Sequence, residues 1–518
     1  MKAGDRTRVG LSPGSAGTPG LSALLGGIAL LLLLGLLLGH YGERADLQRL
    51  FDLCVSEAAA QWMLAALILV GAAAVLASRR GGQLAAVFLT AVREIGRGGS
   101  LWIAVAVAVG LAAGAPFLDA EGGAAGRVKM IASLTSAVAA MIGTLLAVVL
   151  PALSFSREME TRSIYVTATK PTPRWVIFGG KLAAVAAALA AALIPVGCGA
   201  FVAGYLSVRG EAAAAEVEGR NPEHVWLSAY YSRRDSRPRL ERRADGSLPR
   251  PEVFYVGRRR DYELAVPEQE VGRKWLVLRI HAGPANPMLQ TAPARLTCGG
   301  RTHRVEVDRS RPVDLVVSAS AARDGRLKVG LEPVLDEEGI NRGLRSDPRG
   351  TLSIAVQGSG LGVTLAKMLA MIWLQLVLVA AVTLTAASAL SFPVAVVTGA
   401  ATALTGNLSG LAVGILRNAL AAGRQAASAG HGHGPGSAHD LAGVEEVSAL
   451  GQLVRQQAAG MLSLLPDFEA ASTSEFLAAG EYVPWRFLAA GVVALLVFRT
   501  FPVALLGCLV FSRREVGS

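Results

Sequence analysis

The sequence predicts a mainly α-helical, polytopic membrane protein of about eight transmembrane helices, with an inserted extracytoplasmic domain resembling a β-sandwich. Three observations lead there. Of the 518 residues, 52% are hydrophobic and 17% charged, more apolar and less charged than an average soluble chain. The apolar residues gather in blocks: Leu21 to Leu38 holds no charge, and a helix of that length covers most of the roughly 30 Å hydrocarbon layer. Residues 206–358 break this pattern with mixed polarity and short β-rich runs.

Applied along the chain, the length criterion marks spans near 21–40, 61–78, 101–118, 131–154, 176–205, 361–388, 392–416 and 486–511. The Ser391-Phe392-Pro393 step separates the sixth from the seventh, because proline cannot continue a helix from the preceding turn. The first span follows a basic start, but no small-residue cleavage site is evident before Glu43, so it is read as retained.

Orientation follows from Lys and Arg in short loops, which are disfavoured for translocation. Lys2, Arg6 and Arg8 precede the first span, and Arg79, Arg80, Arg93 and Arg97 lie between the second and third. Arg157, Arg162, Lys170, Arg174 and Lys181 lie between the fourth and fifth, and Arg513 and Arg514 follow the last. These four segments place both termini in the cytoplasm. The loop at 41–60 is richer in acids; the loop at 119–130 fits less well, since Arg127 and Lys129 offset Asp119 and Glu121. Basic loops account for the net charge of +11 without a nucleic-acid partner.

Within 206–358, Arg233 to Arg260 is crowded with Arg and Pro and reads as irregular. Trp275–Ile280, Val305–Val307, Val313–Val317, Leu327–Leu331 and Thr351–Val356 read as strands between Gly, Pro and Asp clusters, the spacing of an antiparallel sandwich. A second outer segment, 417–485, begins with the low-complexity run Gly430 to Gly436 and then shows helical periodicity through Leu441, Val444, Val447, Leu450 and Leu453. Its His431, His433 and His439 lack a Cys or carboxylate array at ligand spacing and are read as solvated loop residues, so no metal site is assigned. Cys54, Cys198, Cys298 and Cys508 are too scattered for a disulfide framework; unpaired structural cysteines are the preferred reading and a Cys54–Cys298 bridge the alternative.

Charges inside spans are costly and invite a functional reading. Lys367 stands near the outer end of its span, where its ammonium can snorkel to the interface. Arg499 sits nearer mid-span: it lines a polar site, faces a dimer seam, or is exposed by a helix break at Pro502.

The inner loop 156–181 is the most informative stretch. Glu158 and Arg162 stand four apart, as do Arg157 and Thr161, on a short helix that Pro171 and Pro173 terminate; Arg174 and Lys181 flank the start of the next span. Such a stiff, charged element suits mechanical contact with a partner, and equally suits an ordinary topogenic loop.

The order of Arg157-Glu-x-Glu-x-Arg-x-Ile164, Lys170-Pro-x-x-Arg-Trp175 and Gly180-Lys181 after an apolar span resembles the ABC-2 type transporter permeases, most closely the multi-copper enzyme maturation branch. Ala85 to Arg97 is similar to that family's opening amphipathic helix, with Val87, Phe88, Ala91, Val92 and Ile95 on one face. Leu465-Pro-Asp-Phe468 with Gly480-Glu-Tyr-Val-Pro-Trp485 is similar to its last outer segment, and Phe511-Ser-Arg-Arg-Glu515 to its cytoplasmic tail. The resemblance covers about 84–205 and 361–515. It implies a core whose halves occupy 83–205 and 359–518 with three spans each; the chain departs from the family pattern in an N-terminal extension over 1–82 with two spans and in the β-rich domain 206–358 inserted between the halves.

The resemblance also implies a permease subunit of an ATP-binding-cassette transporter in a bacterial plasma (inner) membrane, paired with a second permease chain. Its Glu158, Glu160, Arg162, Lys170, Pro171, Arg174 and Lys181 would contact a separate ATPase. The chain carries no G-x-x-x-x-G-K-[ST] phosphate loop, so the resemblance assigns ATP to the partner and neither enzymatic activity nor a directly bound cofactor to this chain. A membrane-anchored extracytoplasmic binding or structural protein is the competing function.

Overall fold

The structure, a computed structural model, describes residues 81–96, 123–160, 173–236, 253–408 apart from short stretches, and 480–513, with isolated positions elsewhere. The predicted spans at 21–40, 61–78 and 101–118 lie outside the continuously described residues, as do the histidine-rich run and the periodic segment after it.

The described helices are α1 (Gly81–Gly96), α2 (Gly123–Glu160), α3 (Arg174–Val217), α4 (Pro222–Ala229), α5 (Leu361–Ala389), the shorter apolar α6 (Phe392–Leu408) and α7 (Trp485–Arg513). Four of them, α2, α3, α5 and α7, are long and apolar enough to cross a membrane. Leu390 is extended at the C-terminus of α5, and α6 starts at Phe392, so the Phe392-Pro393 step does separate two helices. At 44 residues α3 is about 66 Å long, more than the roughly 40–45 Å of a bilayer with its headgroups. Its C-terminal part therefore extends beyond the span expected at 176–205.

α5 is the hub. It is the most buried of the four, 67% of its apolar window against 22% for α7. Close approach explains this: a methyl group at Gly143 of α2 or Gly197 of α3 would overlap Leu376 or Leu369 of α5, and one at Gly491 of α7 would overlap Met371. Small residues at such contacts let apolar helices pack where lipid offers no hydrophobic incentive. The core joins Val128, Leu189, Val196, Leu365, Met368, Leu376 and Leu488.

Between α4 and α5 the described residues form twelve antiparallel strands: β1 (Tyr231–Ser236), β2 (Val253–Phe254), β3 (Arg260–Ala265), β4 (Trp275–Ile280), β5 (Ala282–Pro284), β6 (Thr291–Cys298), β7 (Arg301–Asp308), β8 (Val313–Ser318), β9 (Ala322–Arg323), β10 (Arg326–Pro333), β11 (Leu344–Ser346) and β12 (Leu352–Gly360). Their orders are β1-β12-β4-β8, β3-β10-β6-β7 with β9 on β10, and β2-β11-β5. Four of the five predicted runs fall within strands, and the fifth, Thr351–Val356, starts one residue before β12. The stretch 233–260, expected to be irregular, contributes to β1, β2 and the start of β3; β1 pairs with β12 from Tyr231↔Gly360 to Ser236↔Ile354, with a bulge between Ser232 and Arg233. Alternation builds one core: Leu276, Leu278 and Ile280 of β4 and Leu352 and Ile354 of β12 meet Leu296 of β6, Val307 of β7 and Leu327 and Leu331 of β10.

The other face of β4 turns toward the helices. Trp275 meets His224 of α4 edge-on, ring centroids 4.2 Å apart. Beside this junction Phe201 and Tyr205 of α3, stacked on each other, meet Trp226 and Tyr230 in edge-on and tilted contacts, centroids 5.4 to 6.4 Å apart. Such a cluster at one end of membrane-length helices suits the lipid–water boundary, where amphipathic rings are favoured.

Candidate functional site

Two clusters lie at opposite ends of the helix bundle. At the end away from the strands, α2, α3, α5, α6 and α7 converge on Phe155, Phe178, Leu384, Ala395 and Phe511. The Phe155 and Phe511 rings stand edge to face, 5.4 Å apart. Lys181 Nζ donates to the Ser154 carbonyl (3.0 Å) and to Ser154 Oγ (3.1 Å) and lies 4.7 Å from the Phe155 ring centre. Arg174 Nη1 donates to the carbonyls of Ser512 (2.6 Å) and Phe511 (3.2 Å) at the end of α7. A cation there satisfies carbonyls left open by the last helical turn and complements the helix dipole.

These contacts sort the residues expected at an ATPase interface. Glu158 and Glu160 lie in the last turn of α2. Arg162, Lys170 and Pro171 lie outside the described residues. Arg174 is half-buried against α7. Lys181, expected at the interface, is 3% exposed and ties α3 to α2; its position about two turns into α3 places it among the helices. The predicted amphipathic helix is α1, whose Val87 packs on Gly180 of α3, with Ala91 buried and Arg93 exposed.

At the strand-side end, residues 480–485 link three elements. Lys367 of α5 does not snorkel outward: it is 2% exposed. Its Nζ donates to the Val483 carbonyl at 2.7 Å and lies 4.0 Å and 4.3 Å from the ring centres of Tyr482 and Trp485. Two rings and a carbonyl replace the solvation that a lysine this far along the helix would lose. Arg279 of β4, 0% exposed, forms a fork with Asp314 of β8 through Nε (2.9 Å) and Nη2 (3.4 Å). Its Nη1 stands 3.6 Å from Glu481. Arg127, which fitted an outer loop poorly, pairs with Glu211 of α3 at 2.9 Å, and Lys129 covers Gly480, whose φ of +68° suits glycine.

Deeper in the bundle, the Phe468 N–H donates to the Gly406 carbonyl of α6 (2.9 Å), and the Phe468 carbonyl accepts from Gln375 Nε2 (3.1 Å). Gln375 is midway along α5, and Phe468 is 5% exposed. The Leu465–Phe468 stretch was expected on the outer side; its one described residue sits in the bundle instead. Non-helical backbone is tolerated at that level only where protein covers it. Arg499 is half-buried in a π-helical stretch, Val492–Thr500, where Thr500 Oγ1 donates to the Leu495 carbonyl at 2.8 Å and the Phe501 N–H reaches Leu496. The wider turn carries α7 through Pro502, so the helix does not break there.

Cys298 is a buried free thiol whose pKa is raised by burial; Cys54 lies outside the described residues. Among the described residues no cluster of three or more His, Cys, Asp or Glu is arranged to hold a metal.

One titratable group beside the strands is shifted by its surroundings. Burial holds the His224 pKa below its ordinary 6.5; neighbouring His303 and Lys274 also lower it, while Glu223 opposes them. Glu223 itself is held ionised, first by the Trp275 indole N–H (2.7 Å) and then by Lys274. Because folded His224 binds fewer protons than unfolded His224, its contribution to stability is complete above pH 6.5 and falls as pH drops below that value. Acidification from pH 7 to 5 should loosen α4 from β4, reported by Trp275 emission, and His224→Gln should flatten that response.

The chain matches no protein-family model, and neither curated proteins nor solved structures yield a significant match. The fold and sites define its class: a mainly helical protein whose described residues include four helices able to cross a membrane, together with strands in three sheets.

Proposed function

We propose that this chain is the permease subunit of an ABC-2 type transporter, in which a separate ATPase acts on the segment between α2 and α3. The supporting observation is the lock at that end of the bundle. Lys181 joins α3 to α2, and Arg174 joins α3 to the end of α7, so a displacement of the intervening segment would reach all three helices together. In this reading the end carrying Arg174 and Arg513 is cytoplasmic, as are both termini, and the β-rich region is an extracytoplasmic sandwich-like insert. The chain has eight spans in this reading, pairs with a second permease chain and resides in a bacterial plasma membrane. Arg499 in its π-helical stretch is the intramembrane polar site, a feature for which a simple membrane anchor has no use.

Glu158 and Glu160, at the exit of α2, and Arg162, Lys170 and Pro171 beyond it would form the ATPase contact, while Arg174 and Lys181 transmit its motion. The test is purification in lipid nanodiscs together with candidate ABC ATPase subunits from the same genome, one of which is expected to be the partner. The chain should retain that ATPase and change its rate of ATP hydrolysis. Glu158→Arg combined with Glu160→Arg should weaken retention at least about tenfold, the loss of one or two charge-assisted contacts, with insertion unchanged. Undiminished retention and stimulation in the double variant would sink the proposal.

A further inference from the structure

We propose that residues 480–485 form a lever through which the β-rich region and α7 move as one unit, with Arg279 as its pin. This depends only on the strand-side contacts and not on the transporter reading.

The lever is gripped on its strand side by Arg279, which reaches Glu481 while its fork holds Asp314. Register places Arg279 opposite Asp314 on β8 and opposite Ser353 on β12, so this polar row crosses three of the four strands of its sheet. Tyr482 makes the second contact. Its ring lies against Gly358 of β12, where any Cβ would stand 2.6 Å from Tyr482 Cδ2, and glycine is what admits it. Strand β12 runs directly into α5 at Leu361, and Lys367, two turns later, holds Val483, Tyr482 and Trp485.

On its other side the lever ends at Pro484, the N-cap of α7, with no connecting loop. Tilting the sheet would displace Glu481 and Tyr482, and the first turn of α7 is three residues away. That helix is the least buried of the four membrane-length helices and carries the π-helical stretch about two turns from its start. It is thus the element with least packing to resist such a displacement. Buried charge pairs have two discrete states, made or broken, which suits them to transmit a shift rather than absorb it.

Segment-resolved hydrogen exchange on the full chain in lipid nanodiscs tests this. Asp314→Asn weakens the pin from inside the sheet without touching the lever. It should speed exchange about tenfold both in β4 and β8 and at Phe487 to Leu495, leaving Val176 to Val185 unchanged. Glu481→Ala should speed exchange at Phe487 to Leu495 by itself, and adding Asp314→Asn to it should produce no further change there. Gly358→Ala, which displaces Tyr482 and leaves the ion pairs in place, provides the same readout if Asp314→Asn fails to fold. Loosening of the strands with wild-type exchange at Phe487 to Leu495 would overturn the proposal.

Discussion

Asp314→Ala should cost the β-rich region about 3–5 kcal/mol, enough to melt it before the helices. The guanidinium of Arg279 is wholly enclosed, and Asp314 supplies the carboxylate that makes its enclosure tolerable. Glu481, at 3.6 Å and partly exposed, cannot replace a two-point fork. Removing the carboxylate leaves the charge in place without its main partner, the costly arrangement. Converting both residues to apolar side chains of similar size should recover most of the loss, since the desolvation cost of the pair disappears with it. Thermal unfolding followed by Trp275 emission checks both statements; a melting temperature in Asp314→Ala equal to that of the parent chain would refute the first.

Lys367→Ala should rank second, at about 2–4 kcal/mol. The substitution abandons the Val483 carbonyl, removes a cation from two ring faces, and opens a void where the four-carbon stem lay. Lys367→Met should cost about half as much, because it refills the void and sheds the penalty of enclosing a charge. Unfolding in lipid nanodiscs measures the pair. Equal loss in both variants would show that the charge matters more than the packing; no loss in either would mean that Lys367 does not hold the start of α7.

The strands were legible because their signal is local. Runs such as Trp275–Ile280 and Val313–Val317 are too short and too β-branched or aromatic for helices, and the observed β4 and β8 coincide with them within a residue. The same runs held a clue that periodicity alone does not interpret. Arg279 and Asp314 are single charges inside otherwise apolar strands, and on an edge facing water they would be unremarkable. β1 was missed because its Tyr-Ser-Arg-Arg-Asp-Ser sequence has no apolar alternation; pairing to β12 creates that strand.

At the helices the balance was similar. Glu158 and Glu160 are helical at the end of α2, while the rest of the expected short helix lies outside the described residues; Lys181 was expected at a partner contact and Lys367 at the outer interface. Both found carbonyls and aromatic faces on other elements instead. Ser154 is 27 residues from Lys181 and Val483 is 116 from Lys367, separations that no local pattern spans.

The sequence by itself therefore determined the four described membrane-length helices, the break between α5 and α6 and the main strands, because hydrophobic length, proline and side-chain alternation act within a few residues. Only the tertiary structure decided that the second face of the β4 sheet turns to the helices, that Arg279 and Lys367 are enclosed, and that residues 480–485 join them. The reason is physical: the cost of burying a charge depends on partners that folding alone brings within hydrogen-bond reach.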